Sequence, residues 1–347
     1  MRVGDSLTGL VVAAATGAAA AGLLPGRGEW NAFGLGLPVV VAAAAAVRHA
    51  GIALRAAKAA GSGVALHDPR RDAPRPRPLR LAAELREAIG TEALTVSFQP
   101  KVELVAGTVV GVEALLRWHH PVHGHVAPDE FIRVAERSDL IRRLTRFVLR
   151  TALAQREAWR LAGRELDMAV NLSVRDLLDS DLPDDVADLL GRYNVPAGAL
   201  TLEVTEGGIV ADHTPAVAVL SRLRDLGVQV SIDDFGTGYS SLSYLKLLPA
   251  DELKVDRSFV TTMAADPGDA RIVRSIIDLA HSFGLRVVAE GVEEEVTWHQ
   301  LRALGCDVVQ GYLLTAPLAA PGLWRWLAEW DEREASRTGA ESAAVLA

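Results

Sequence analysis

The sequence predicts a (β/α)8 barrel preceded by a pair of transmembrane helices. Three observations carry that expectation. Eight short β-type runs alternate with amphipathic helical stretches over about 240 residues, which implies a parallel sheet closed on itself. Each run delivers an ionisable or amide side chain near its C-terminal end, the end where barrel active sites gather. Two runs near the N-terminus, 6–26 and 30–47, carry no charge at all.

Composition limits the rest. Of 347 residues 50% are hydrophobic and 23% charged, enough for a packed core. The net charge of −8 is uneven: residues 1–77 hold nine Arg/Lys against four Asp/Glu, or +5, leaving −13 on the remainder. An acidic body argues against binding DNA or RNA. It does not exclude a nucleotide, because metals bring phosphate to carboxylates. One cysteine, Cys306, rules out an intrachain disulfide, and its apolar surroundings make it a core residue.

As a helix, 6–26 spans about 30 Å, enough to cross a bilayer core. The run 30–47 follows a short Pro-Gly-Arg-Gly-Glu turn and contains Pro38, which membrane helices tolerate. Basic residues then accumulate from Arg48 to Arg77, so the positive-inside rule puts both ends in the cytoplasm. The expectation is a membrane hairpin over 1–60 with the barrel facing the cytoplasm. A signal peptide over 1–22 and a pair of Ala-rich soluble helices are the competing readings. Residues 61–78, rich in Gly, Pro and Arg, read as a linker. The main domain is expected over 79–331, opening on a short amphipathic helix at 79–89, and the polar segment 332–347 is expected to be disordered.

The strand candidates are 94–98, 109–116, 167–171, 200–204, 228–232, 252–255, 286–289 and 307–310. Helical spacing marks 128–135, 140–162, 215–226, 269–283, 293–304 and 321–329. Near the strand ends stand Gln99, Glu113 with Arg117, Asn171, Glu203, Asp233 with Asp234, Lys254 with Asp256, Glu290 and Gln310. Any one of these is ordinary strand-flanking polarity, but the convergence of so many carboxylates on one rim calls for cations. The adjacent Asp233 and Asp234 precede a Gly236-Thr237-Gly238 turn. Alone, that stretch fits a surface turn as well as a metal site; its partners favour two metal ions with a shared carboxylate. Lys254, alone among acids, fits an ion pair or a group that holds a metal-bound water. Arg117, four residues beyond Glu113 and on the same strand face, suits a phosphate clamp.

These residues also form a signature. Glu113-Ala114-Leu115, continuing to Arg117, resembles the name motif of the EAL-domain family, which hydrolyses the bacterial second messenger cyclic di-GMP to linear pGpG. Phe98-Gln99-Pro100-Lys101 precedes it. Asn171-Leu172-Ser173, Leu202-Glu203-Val204-Thr205-Glu206, the 233–241 stretch, Leu253-Lys254-Val255-Asp256, Ala289-Glu290-Gly291-Val292-Glu293 and Gln310-Gly311-Tyr312 follow in family order.

The resemblance implies a modified barrel with one antiparallel strand, two Mg²⁺ or Mn²⁺ ions, and a homodimer formed through the barrel domain. It implies that Glu113, Asn171, Glu203 and Asp233 hold the first metal. Asp234 and Glu290 would serve the second, with Asp233 shared. Lys254 would position or activate the attacking water, Arg117 and Gln99 would contact substrate, and Asp256 and Gln310 would supply polar groups around the site. Glu206 would brace the glycine turn, Gly236 and Gly238 included, and tie it to the dimer interface. Gly207-Gly208 departs from the usual family sequence without removing a ligand. The four histidines His119, His120, His123 and His125 read as a loop feature, with a metal tract as the alternative. A cyclic di-GMP receptor without turnover is the rival function, and the full acid set with Lys254 disfavours it.

Overall fold

The structure, a computed structural model, describes residues 78–206, 213–237, 245 and 248–345. The expected membrane hairpin, the linker up to Arg77, Gly207, Gly208 and Gly238 lie outside the described residues. Among the described residues no helix is long and apolar enough to cross a membrane. Pro78–Ala347 forms one compact unit.

Helix α1 (Pro78–Ala88) leads into β1 (Leu94–Glu103) and β2 (Val109–His120), which continues through β3 (Gly124–Val126). Helices α2 (Pro128–Glu136) and α3 (Leu140–Leu161) follow, then β4 (Asp167–Leu172), α4 (Leu182–Tyr193), β5 (Leu200–Thr205), α5 (His213–Asp225) and β6 (Gln229–Phe235). The chain ends with β7 (Glu252–Val255), α6 (Arg257–Val260), α7 (Pro267–Ser282), β8 (Arg286–Ala289), α8 (Glu295–Ala303), β9 (Val308–Val309) and α9 (Ala320–Val345).

The sheet order is β1-β9-β8-β7-β6-β5-β4-β2, and β1 pairs with β2 to close an eight-stranded barrel. Strand β3 is an extra hairpin arm on β2. Strand β1 runs antiparallel to both neighbours, whereas the other barrel pairings are parallel. The cause is local: residues 104–108 cannot hold a crossover helix, and Glu103 N–H donates to Thr108 O at 2.9 Å across a turn containing Gly107 (φ 69°). So short a link joins antiparallel strands only.

Strand alternation divides the barrel sharply. Val96, Phe98, Val112, Met168, Leu202, Val230, Leu253 and Val287 face outward into buried layers beneath the helices. Phe98 meets Trp159 of α3 edge to face, 5.0 Å between centroids. The positions between them are Gln99, Lys101, Glu113, Asn171, Glu203, Ser231, Asp233, Glu252 and Lys254, so much of the lumen is polar where barrels usually pack branched aliphatics. A third apolar layer joins Leu81 and Leu85 of α1 to Trp118 and Phe131.

Two expectations are corrected, and helix α9 runs on to Val345, past Asp331. Leu323 and Leu327 are buried, Trp330 Nε1 donates to Gly107 O at 2.9 Å, and Arg333 lies over the Trp330 ring, so the helix is anchored before it leaves the barrel. Helix α4 was absent from the expected elements; Leu182, Val186 and Leu190 form its buried stripe and Asn194 ends it in a left-handed turn. The strand beginning at Val109 extends to His120, because β3 gives its second half a partner.

Gly311 follows β9 with no room for a side chain: a Cβ there would sit 2.1 Å from Val292 O. Gly311→Ala is expected to destabilise the fold by roughly 1–3 kcal/mol in urea unfolding. Unchanged stability would contradict this close approach.

Candidate metal centre

Lys254 sits at the centre of the site, 1% exposed, on the inward face of β7. Its Nζ lies 2.6 Å from Glu290 Oε1, 2.7 Å from Glu203 Oε2, 3.3 Å from Asp233 Oδ1 and 3.7 Å from Glu113 Oε2. Burial opposes the charged amine, yet Asp233, Glu113, Glu203 and Glu290 hold its pKa well above the usual lysine range.

Adjacent strand residues point to opposite faces, so Asp233 and Asp234 need a special backbone to act together. The structure supplies it. Between Ile232 and Phe235 the β6 strand carries one residue more than β7 does between Leu253 and Val255, a β-bulge, and Asp234 takes φ 56°. Asp234 N–H donates to Asp233 Oδ1 at 2.9 Å. Asp233, Asp234 and Glu290 then present one oxygen each within 4.8 Å of one another.

Around Glu113 the amides are committed. Asn171 Nδ2 donates to Glu113 Oε1 at 2.6 Å, and Gln310 Nε2 donates to Glu113 Oε2 at 2.7 Å and to Gln99 Oε1 at 3.0 Å. Gln99 donates in turn to Thr315 O at 3.1 Å. Since β1 runs backwards, Gln99 reaches the site from mid-strand, opposite Glu113 in register, and not from a strand end. Glu113 is likewise inside β2, and the two aspartates inside β6. Asp256 caps the N-terminus of α6, accepting from Ser258 N at 3.0 Å, and also faces Asp234. Arg117 is half-buried and has no carboxylate partner among the described residues; its NH1 donates to Leu116 O at 2.9 Å. Gly236 N–H points at Glu206 Oε2 across 3.5 Å, and φ 99° at Gly236 requires glycine.

The electrostatics show an excess of acid. Burial pushes Glu290 up to about 8; Lys254 pulls against that rise, and the Asp233 and Glu113 charges add to it. Burial and the Asp233 charge bring Asp234 to about 6, and burial and Glu203 raise Glu113. Such a cluster takes up cations, and carboxylates plus one asparagine are the donors that hard divalent ions prefer.

The sequence reading passed over the layer below. Lys101 Nζ lies 2.7 Å from Glu203 Oε1 and 3.3 Å from Glu252 Oε1, and Arg286 NH2 lies 2.8 Å from Glu252 Oε2. Burial alone would raise Glu203, but Lys101 and Lys254 hold it down to about 2. The signal was spacing: Lys101 stands two residues from Gln99, and Glu252 two residues from Lys254, hence on the same inward faces.

Glu84, His120 and His123 form a second group with ligand atoms within 4.8 Å. There the tautomer argues against a metal. His120 Nδ1 accepts the backbone N–H of Val122 at 3.1 Å and of His123 at 3.2 Å, so the ring proton sits on Nε2, facing Glu84 Oε2 at 3.3 Å. The histidine tract ties α1 to the β2–β3 hairpin.

A barrel whose lumen gathers carboxylates around Lys254 offers the donor set of a divalent-metal site. A family model described as the EAL domain matches residues 82–317. The chain belongs to the EAL-domain family. It is 41% identical to a cyclic di-GMP phosphodiesterase of Pseudomonas aeruginosa, over 77% of this chain and 46% of that protein. It is 44% identical to a bifunctional diguanylate cyclase/cyclic di-GMP phosphodiesterase of the same organism, over 71% of this chain and 36% of that protein. The matches thus span less than half the length of these relatives. A solved phosphodiesterase in complex with c-di-GMP superposes with a TM-score of 0.67 at 43% identity, covering 70% of this chain and 99% of that one.

The raised Glu290 carboxyl has a consequence for the metal-free protein. An acid whose folded pKa lies above its unfolded value costs stability as pH rises between the two, here from about 4.5 to about 8. Glu290→Gln is therefore expected to raise the melting temperature of EDTA-treated protein at pH 8, with the gain gone at pH 5. A variant less stable than wild type at pH 8 would contradict the acid excess.

Proposed function

We propose that this protein hydrolyses cyclic di-GMP to linear pGpG at a centre holding two divalent ions, Mg²⁺ or Mn²⁺. The supporting observation is the full acid set packed around Lys254, with Arg117, half-buried and in no salt bridge among the described residues, on the same strand face as Glu113. The named activity of the relatives points the same way.

Glu113, Asn171, Glu203 and Asp233 would hold one ion, and Asp233, Asp234 and Glu290 the other. When bound, the ions supply Lewis acidity toward a phosphodiester and its attacking water. Lys254 is an ammonium with three donors and no lone pair while its carboxylates surround it. It orients water by donating, and gives up its role as counter-cation when metals arrive. Arg117 offers a planar fork to a phosphate oxygen and stabilises charge that develops as the bond to the leaving oxygen breaks. Gln310 and Gln99 serve the substrate by fixing Glu113, and Asp256 by facing Asp234.

Glu206 and Gly236 form the brace through which a homodimer would act on Asp234. The uncharged runs 6–26 and 30–47 would anchor the protein in the bacterial inner membrane, with the barrel in the cytoplasm.

Purified protein with Mn²⁺ is expected to convert cyclic di-GMP to pGpG in a chromatographic assay. Glu113→Ala and Lys254→Ala should each lower kcat by about a hundredfold or more. Binding of the dinucleotide without turnover would favour a receptor instead. Arg117→Ala should weaken productive binding by roughly 1.5–3 kcal/mol, read from kcat/KM. A reporter fused after Ala347 should read as cytoplasmic; export of that reporter would overturn the topology.

A further inference from the structure

Glu203 is fully buried, 0% exposed. Each oxygen has its own lysine. Oε2 meets Lys254 at 2.7 Å, and Oε1 meets Lys101 at 2.7 Å. Lys254 is shared with Glu290, Asp233 and Glu113, whereas the acids in contact with Lys101 are Glu203 and Glu252. Glu252 is itself held from below, its Oε2 accepting from Arg286 Nε at 3.1 Å and NH2 at 2.8 Å. Charges therefore alternate down the lumen through Lys254, Glu203, Lys101, Glu252 and Arg286.

This ladder assigns different work to the two lysines. A cation approaching Glu203 from the centre competes with Lys254 for Oε2. It does not touch the Lys101 contact, which lies on the opposite oxygen. A carboxylate whose second oxygen is already hydrogen-bonded offers one oxygen to a metal and cannot swing to offer two.

We propose that Lys101 is a positioning residue of the metal centre: braced by Glu252 and Arg286, it fixes Glu203 as a one-oxygen ligand and stays paired with it when a divalent ion replaces Lys254. This inference rests on the two-metal reading of the site. Removing a partner that orients a metal ligand costs about 10–100-fold in metal affinity.

The test is Mn²⁺ binding to EDTA-stripped full-length protein, followed by the electron paramagnetic resonance signal of free Mn²⁺. Lys101→Met should weaken binding by about 10–100-fold, with the KM for cyclic di-GMP at saturating Mn²⁺ changed by less than about twofold. Glu252→Gln keeps Lys101 but loosens its brace, and should weaken binding in the same direction by a smaller factor. It decides the matter if Lys101→Met does not fold. A merely structural role would lower melting temperatures and leave Mn²⁺ affinity within about twofold of wild type in every folded variant, which overturns the inference. Wild-type protein that takes up no Mn²⁺ overturns the metal reading and this inference with it; wild-type uptake matched by the variants overturns this inference alone.

Discussion

One ammonium group holds the mouth of this barrel together. Four carboxylates lie within 3.7 Å of Lys254 Nζ, itself 1% exposed. Without that cation the acids would repel, and Glu203 alone would keep a lysine partner, Lys101. With it they remain too many for one charge, and Glu290 and Asp234 are left with raised pKa values. The outer layers carry the stability this arrangement gives up: Val, Leu and Phe side chains on the reverse faces of the same strands pack beneath the helices. The same backbone thus builds a core on one face and a cation trap on the other.

Two departures from a regular barrel serve that trap. The reversal of β1 puts Gln99 opposite Glu113 and Lys101 below it, so a strand running the wrong way still contributes to the centre. The bulge at Asp233–Asp234 turns two neighbours that regular pleating would separate toward a common point. Both devices cost backbone regularity and gain placement of charge, as strained positions at functional sites do.

Much of this was legible in the sequence. Strand–helix alternation located all eight barrel strands, since buried β-branched runs and amphipathic helices differ in period. Strand ends were less legible: Glu113 lies inside a strand lengthened by the β2–β3 hairpin, and Asp233 inside one whose bulge is set by its distant partner β7. That one strand runs antiparallel came from the family resemblance; that it is β1 did not, although the short link 104–108 held the physical reason. The convergence of Glu113, Asn171, Glu203, Asp233, Asp234, Lys254 and Glu290 followed from their places at one end of the strands. Lys101 and Glu252 stayed hidden because they lie deeper in the lumen, where a barrel is expected to be apolar. The polar residues after Asp331 extend a helix anchored by Leu323, Leu327 and Trp330.

The account's central claim is that the acid cluster around Lys254 is a two-metal centre. Anomalous diffraction from crystals grown with Mn²⁺ and cyclic di-GMP tests it directly. Two manganese peaks about 3.5–4 Å apart, with Asp233 between them and a phosphate of the dinucleotide against both, are the expected result. A cluster without manganese, with Lys254 still bound to Glu203 Oε2 and the metal elsewhere, would contradict it.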